Sequence, residues 1–180
     1  YKLGVSLSDH ERTLALQLVE DENPQTRQLA AKWVAEHQSA TDIVKAALTM
    51  FREQAFVYTL APPLLGKEPV DDFLFNTKRG FCEHYASSFV YLMRAAGIPA
   101  RIVTGYQGGE LNPNGNYLIV RQSDAHAWAE VWLDQRGWVR VDPTSAVSPD
   151  RIESGIGAAL SDSNLWPLLS RQDYPALNKL

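Results

Sequence analysis

The single cysteine of this chain, Cys82, stands where a helix is predicted to begin. An apolar periodicity typical of a helix runs over 82–96 and ends at Gly97, so Cys82 falls in the first turn. Backbone N–H groups of a first turn have no helical partner and favour negative charge. This position predicts a stabilised thiolate with a lowered pKa, and Gly80 permits a tight turn before it. The alternative interpretation is a small buried apolar residue.

His126 opens a segment that alternates in the manner of a strand. In 126–133 the even positions hold His, Trp, Glu and Trp, while the odd positions hold Ala, Ala, Val and Leu. Successive strand side chains point to opposite faces, so the odd face is predicted to pack on the core and the even face to carry the reactive groups. His126 is therefore the candidate base, and Trp128 is a candidate supporting residue on the same face. The alternative is a polar histidine on a solvated sheet face.

Asp142 and Asp124 are the candidates for the acid that orients His126. The turn 134–137 predicts a three-residue hairpin loop that preserves parity, so Asp142 shares the even face with His126. The register places Asp142 opposite residue 128 or 130, and a diagonal contact or a bulge is needed to reach the ring. Asp142 has an alternative role as a strand-end cap. Asp124 lies on the same face and competes with it, because a triad is recognised by geometry and not by sequence order.

These groups predict nucleophilic attack on a carbonyl carbon. Cys82 would attack, His126 would move the proton, and Asp142 would hold the imidazole in its tautomer. The resulting oxyanion needs donors, for which the backbone N–H of Cys82 and the side chain of Asn76 are candidates; an ordinary turn role for Asn76 is the alternative. A metal site of Cys82, His84 and His126 has poor ligand spacing, since residues i and i+2 diverge on a helix. We therefore expect no metal and no cofactor.

The elements around these residues are predicted to be helices first and antiparallel strands afterwards, which indicates an α+β domain with helices against one face of a sheet. Asp9 is expected to cap a helix over 9–20, Pro24 to stand near the start of one over 24–38, and Thr41 to cap a third. The stretch 57–76 is expected to be an irregular connection. The predicted strands are 101–106, 116–122, 126–133 and 138–142.

Composition bounds the class of protein. The 180 residues are 45% apolar and 21% charged with a net charge of −4, which suits one globular domain and excludes a basic surface for nucleic acid. No stretch approaches the roughly 20 apolar residues that span a bilayer, and a start without Met indicates an excised piece of a longer protein. We expect helices over 1–60, a catalytic core over 61–145, and a tail over 146–180 that docks partly through Trp166, Leu168 and Leu169.

The motifs taken together resemble the bacterial transglutaminase-like superfamily. The resemblance covers about residues 65–145 and is closest to the branch carried as an extracytoplasmic domain in polytopic inner-membrane proteins. Its motifs are GFCEHYA at 80–86, LMRAAGIPAR at 92–101, GY at 105–106, HAWAEVW at 126–132, GW at 137–138 and VDPT at 141–144.

This resemblance implies a papain-like fold in which a helical lobe presents the cysteine and a sheet presents the histidine and aspartate. The family's catalytic residues fall on Cys82, His126 and Asp142. Its activity is amide acyl transfer, typically from a glutamine side chain to a lysine amine, so the implied partner is a protein or peptide with amide and amine groups. The branch places such a domain in the periplasm, as a soluble part of a membrane-embedded parent. Calcium, which animal relatives use, is not expected here because no oxygen-rich loop of EF-hand type is present.

Three function classes follow and remain open at this point. The first is a transglutaminase-type acyltransferase, and the second is a cysteine protease or amidase with the same triad, in which water replaces the amine. The third is a non-enzymatic module that uses the fold as a binding surface. The first two differ only in which acceptor outcompetes water, and that depends on the shape and desolvation of the cleft.

Overall fold

Helices occupy the first half of the chain and most strands the second, as the sequence predicts. The computed structural model describes residues 6–147. Its helices are α1 (Asp9–Leu16), α2 (Pro24–Glu36), α3 (Ala40–Glu53), a short α4 (Pro69–Asp71) that continues into a π-helix (Asp72–Thr77), and α5 (Cys82–Ala95). The strands are β1 (Val57–Tyr58), β2 (Arg79–Gly80), β3 (Ala100–Tyr106), β4 (Glu110–Asn112), β5 (Tyr117–Ile119), β6 (Ala125–Leu133) and β7 (Gly137–Val141). Short 3-10 helices cover Gln122–Asp124 and Pro143–Ala146.

Two of the predicted helix caps are wrong by one or two residues. The N-cap of α1 is Ser8 and not Asp9, and Ser8 forms a reciprocal capping box with Glu11. The N-cap of α3 is Ser39 and not Thr41, because the extended backbone at Ser39 lets its hydroxyl accept from the N–H of Asp42 at 3.2 Å. Helix α1 also ends at Leu16, four residues earlier than predicted.

The core of the helical part lies between α3 and α5. The apolar residues of α3 that recur at helical spacing, Ile43, Ala47, Met50 and Phe51, form a stripe that is buried, and the apolar face of α5 is buried as well. Tyr85 of α5 has no exposed surface and packs in edge or tilted contact with Phe51, Phe56 and Phe73, whose ring centroids lie 5.0–6.1 Å away. Aromatic packing of this kind fixes α5, and with it the position of Cys82 at its start.

The stretch 57–76, predicted to be an irregular connection, is irregular over 59–68 and has regular structure on either side of it. Strand β1 pairs in parallel with β2, and α4 is tied to the start of α2. The carboxylate of Asp71 accepts hydrogen bonds from the backbone N–H of Gln25 and of Thr26, both at 2.8 Å, and the amide oxygen of Asn23 accepts from the N–H of Val70 and Asp71. These partners are more than forty residues apart, so local sequence patterns do not reveal them.

The main sheet has the strand order β3-β6-β7 and is antiparallel throughout, with β6 in the centre. The odd face of β6 is buried as predicted: Ala127 and Ala129 are at most 2% exposed and Val131 is fully buried. Alanines at these positions let α5 approach the sheet closely. The helix that begins with Cys82 therefore lies directly against the strand that carries His126.

The predicted strand 116–122 does not join this sheet. Only Tyr117–Ile119 is extended, and it pairs with β4 as a separate two-stranded hairpin. The turn of this hairpin is closed by Asn112, whose side-chain oxygen accepts from the N–H of Asn114 at 2.9 Å. The tail predicted to dock through Trp166, Leu168 and Leu169 lies outside the described residues. Among residues 6–147, no helix has the length and apolarity needed to cross a membrane.

Candidate active site

Cys82 is the first residue of α5 and lies where this helix meets the sheet. The residue is 8% exposed and packs with Ala86, Phe81 and Ala127, the last of which belongs to β6. The sequence offered two interpretations of Cys82, a nucleophile at a helix start and a small buried residue. Its environment has features of both, since the residue is largely buried at a helix N-terminus, and the neighbouring imidazole distinguishes it from an ordinary core cysteine.

Gly80 is required by a close approach and not by an unusual backbone conformation. A Cβ atom at this position would lie 2.6 Å from both Cβ and Cγ of His84 and 3.0 Å from the ring of Phe73. The His84 ring is held against this spot because its Nδ1 accepts a hydrogen bond from the N–H of Phe81 at 3.4 Å. Burial, partly offset by the charge of Glu83, lowers the pKa of His84 and favours the neutral ring that can accept this bond. His84 therefore caps the helix that carries Cys82.

His126 is bonded to Asp142 through one ring nitrogen, and the ring also interacts with Cys82. Nε2 lies 2.7 Å from Oδ2 of Asp142. The side chain of His126 is completely buried, and Nδ1 makes no hydrogen bond of standard geometry to any residue in 6–147. The Cys82 sulfur is the second group that interacts with the ring. With Nε2 occupied, Nδ1 is the atom available to exchange a proton with the thiol.

The protonated form of this ring is favoured by its surroundings. Burial is the largest single influence and lowers the pKa of His126, because it disfavours charge. The hydrogen bonds and negative charges of Asp142 and Cys82 act in the opposite direction and outweigh burial, so the pKa of His126 is raised above its usual value. A thiolate paired with an imidazolium is the state that such an environment stabilises.

Asp142 performs both of the roles that the sequence offered as alternatives. Oδ2 faces His126, while Oδ1 accepts from the N–H of Thr144 at 3.2 Å and so caps the 3-10 helix that follows. Strand β7 ends one residue before it, at Val141, which pairs with Ala129. The continued register places Asp142 opposite residue 128, so the contact with His126 is the diagonal one that the register required.

Asp124 bonds to the backbone of Arg121 and not to the imidazole. Its Oδ2 accepts a hydrogen bond from the N–H of Arg121 at 2.8 Å, within the 3-10 helix at whose end it lies. Of the two carboxylates considered, the structure brings Asp142 to the ring.

Asn76 and Trp128, the other residues singled out by the sequence, differ in what they contact. Asn76 is exposed on the π-helix, and its amide donates to Oδ1 of Asp72 at 2.9 Å, so its role at an oxyanion stays a prediction. Trp128 stacks on His126 with 6.2 Å between ring centroids and 24° between the planes. His84 and His126 are each held by other partners, and no three His, Cys, Asp or Glu side chains within the described ranges converge to hold a metal ion.

Arg140 contacts this site and was missed by sequence reasoning. Its guanidinium lies 4.4 Å from the centre of the Trp128 ring, and its Nη2 lies 3.4 Å from the same Asp142 oxygen that faces His126. A signal was available, because Arg140 has the same parity on β7 as Asp142 and therefore faces the same side of the sheet.

The chain belongs to the transglutaminase-like superfamily, which its residues 27–143 match. A protein-glutamine gamma-glutamyltransferase of Pseudomonas aeruginosa is 48% identical over 97% of this chain, which corresponds to 27% of that protein. The crystal structure of the periplasmic domain of TgpA from Pseudomonas aeruginosa matches 84% of this chain and 52% of that domain, with a TM-score of 0.82 and 52% identity. The predicted family is thereby confirmed.

A structure of lower sequence identity to this chain has a similar fold. A protein of Cytophaga hutchinsonii described as a candidate cysteine protease aligns with 86% of this chain and 51% of that structure, with a TM-score of 0.57 and 20% identity. The predicted α+β fold of papain-like type is confirmed by these matches together. The chain spans about a quarter of the length of the Pseudomonas aeruginosa transferase and about half of each of the two structures.

Proposed function

We propose that this chain is a cysteine-dependent acyltransferase of transglutaminase type that acts on protein glutamine. The observation that carries the proposal is the imidazole of His126, which contacts the carboxylate of Asp142 through Nε2 and also interacts with Cys82. This order of thiol, imidazole and carboxylate is the arrangement that activates a cysteine nucleophile. A relative 48% identical over nearly the whole chain carries the name of that activity.

The proposed reaction has two steps, each with a proton transfer through His126. In the first, the Cys82 thiolate attacks the glutamine carboxamide carbon, the C–N bond breaks, and the imidazolium protonates the departing nitrogen, so that ammonia leaves and a thioester remains. In the second, neutral His126 takes a proton from a primary amine as it attacks the thioester. The C–S bond breaks, the new amide forms, and the thiolate and imidazolium return. Asp142 holds the ring through both steps.

The proposed location is the periplasm, because the TgpA structure is described as a periplasmic domain and 84% of this chain resembles it. The backbone N–H of Cys82, at the first position of α5, is the proposed donor to the oxyanion. The proposed substrate is a protein that offers an exposed glutamine, with a primary amine as the acceptor.

Incorporation of a fluorescent primary amine into a glutamine-containing protein such as casein tests the proposal. We expect the wild-type chain to attach the amine covalently and to release ammonia in an amount equal to the amine attached. We expect no labelling by Cys82→Ala. Equal labelling by the two proteins would show that Cys82 is not the nucleophile. Ammonia or peptide release that requires Cys82 but captures no amine would replace the transferase by a hydrolase, and absence of any turnover would leave a binding module.

A further inference from the structure

Arg140 lies beside the candidate catalytic groups without being one of them. Its Nη2 lies 3.4 Å from Oδ2 of Asp142 and 3.4 Å from the side-chain oxygen of Gln107, while its guanidinium carbon lies over the Trp128 ring at 4.4 Å. Trp128 in turn stacks on His126. Arg140 therefore contacts two groups that themselves contact the imidazole, the Asp142 carboxylate and the Trp128 indole.

The register of the sheet places a carboxylate directly opposite this arginine, yet the arginine contacts Asp142. Arg140 stands directly opposite Glu130 in the β6–β7 ladder, where an ion pair between the two would be expected. Glu130 is instead bound by Arg101 of β3, whose Nη2 lies 2.6 Å from its carboxylate and whose guanidinium stacks over Trp138 at 4.1 Å. Arg140 lies instead along its own strand toward Asp142, two residues further on.

The contact of Arg140 with Asp142 changes the net charge of the site. With Cys82 as thiolate, His126 as imidazolium and Asp142 as carboxylate, the three groups carry one net negative charge in a largely buried space, since the His126 side chain has no exposure and that of Asp142 is 9% exposed. Arg140 brings the net charge to zero. Gly105, which pairs with His126 from β3, adds no charge, and the neighbouring ionisable residues of α5 are Glu83, which is exposed, and His84, whose ring is turned to Phe81.

We propose that Arg140 is a positioning residue of this site, which holds the Asp142 carboxylate toward His126 and favours the thiolate of Cys82 by its positive charge. The inference deepens the proposed function and rests on it. A nearby cation makes protons easier to remove from its neighbours, so the rise of a thiolate-dependent pH profile should lie at lower pH with Arg140 than without it.

The rate of Cys82 alkylation by iodoacetamide between about pH 5 and pH 9 measures this effect, since the thiolate is the reacting form. The reagent is uncharged, so Arg140 does not steer it. We expect Arg140→Gln to move the profile to higher pH and to slow alkylation by about two- to fivefold on the acidic side, the size expected for one partly exposed charge, with the plateau at high pH unchanged. Arg140→Lys, which keeps the charge, should stay close to wild type.

Arg136→Gln is the matched control. Arg136 lies in the loop of the same hairpin, six residues from Asp142, which is about 20 Å along an extended strand and beyond the screening length of physiological salt. The Arg136→Gln substitution removes the same charge and should leave the pH profile of alkylation unchanged. In about 1 M salt the difference between Arg140→Gln and wild type should shrink, because screening weakens a partly exposed charge.

An Arg140→Gln profile that superimposes on that of the wild type, or whose plateau falls without a displacement along the pH axis, would overturn the inference. Thermal unfolding of each variant shows whether a lower plateau comes from loss of folded protein. The proposed function is judged separately by amine incorporation. If Arg140→Gln displaces the alkylation profile but the chain transfers no acyl group, the role of Arg140 is retained and the transferase is rejected. If the chain transfers acyl groups normally but the profile is not displaced, the transferase is retained and the role of Arg140 is rejected.

Discussion

Asp142 and His126 are 2.7 Å apart at their side chains although they do not face one another in the β6–β7 ladder. The ladder ends with Val141 opposite Ala129, and the chain then turns into a 3-10 helix that Asp142 itself caps. One carboxylate oxygen is used to stop the strand, and the other is thereby aimed diagonally at the ring. The end of a secondary-structure element and the orientation of the imidazole thus depend on the same side chain.

We expect Asp142→Ala to reduce amine incorporation far more than Asp124→Ala. Loss of Asp142 removes the group that fixes the tautomer of His126, and proton transfer by a positioned group contributes about 10²- to 10⁴-fold to a rate. Asp124 is engaged with the N–H of Arg121, so its loss should leave the rate per folded molecule close to that of the wild type. Initial rates of fluorescent amine incorporation at equal concentrations of folded protein compare the two. The reverse order would transfer the acid's role to Asp124.

The stability of the protein should depend on pH through His126. Burial lowers the pKa of this ring, but Asp142 and Cys82 outweigh burial and raise it, so the folded state binds the proton more tightly than the unfolded state. The stabilisation is fully present below the unfolded-state value of about 6.5 and is lost as the pH rises through the folded-state pKa. Urea titrations should therefore give a larger difference in unfolding free energy between wild type and His126→Gln at about pH 5.5 than at about pH 9.

His84 provides a control of opposite sign. Burial, opposed more weakly by Glu83, lowers the pKa of His84, so its contribution to stability is present above about pH 6.5 and is lost as the pH falls through the folded-state value. The difference between wild type and His84→Gln should accordingly be larger at alkaline pH. If both variants followed the same trend, the environments assigned to the two rings would be incorrect.

Gly80→Ala should impair both stability and activity. Its Cβ would lie 2.6 Å from Cβ of His84, an atom too close to the backbone to swing aside. Overpacking of this kind costs about 1–3 kcal/mol, and displacement of the turn before Cys82 should lower the rate per folded molecule by up to about 10²-fold. Urea titrations and amine incorporation measure the two effects.

Gly97→Ala separates these effects. Gly97 has a φ of +76° at the other end of α5, and nothing lies within 4 Å of a Cβ placed there. The left-handed backbone costs an alanine about 1–2 kcal/mol without a steric clash, so stability should fall while the rate per folded molecule stays that of the wild type. Equal losses of rate in the two alanine variants would show that Gly80 has no particular influence on Cys82.

Periodic patterns predicted the main elements well. The stripe of α3, the long helix that begins at Cys82 and the buried odd face of β6 each follow from spacing alone, because hydrophobic burial repeats with the period of the element. The stretch 57–76 was predicted less well, because α4 and the start of α2 satisfy each other's backbone groups through Asp71 and Asn23, which are far apart in the sequence.

The sequence by itself determined the family, the α+β order of elements, and the residue types that a cysteine nucleophile needs, since each of these is written in local spacing or motif. Only the tertiary structure decided which carboxylate meets His126, that Gly80 is required by the close approach of His84, and that Arg140 contacts Asp142 while Arg101 binds Glu130. Side-chain hydrogen bonds and ion pairs are directional and short, and a partner on another element is set by the packing of the whole domain.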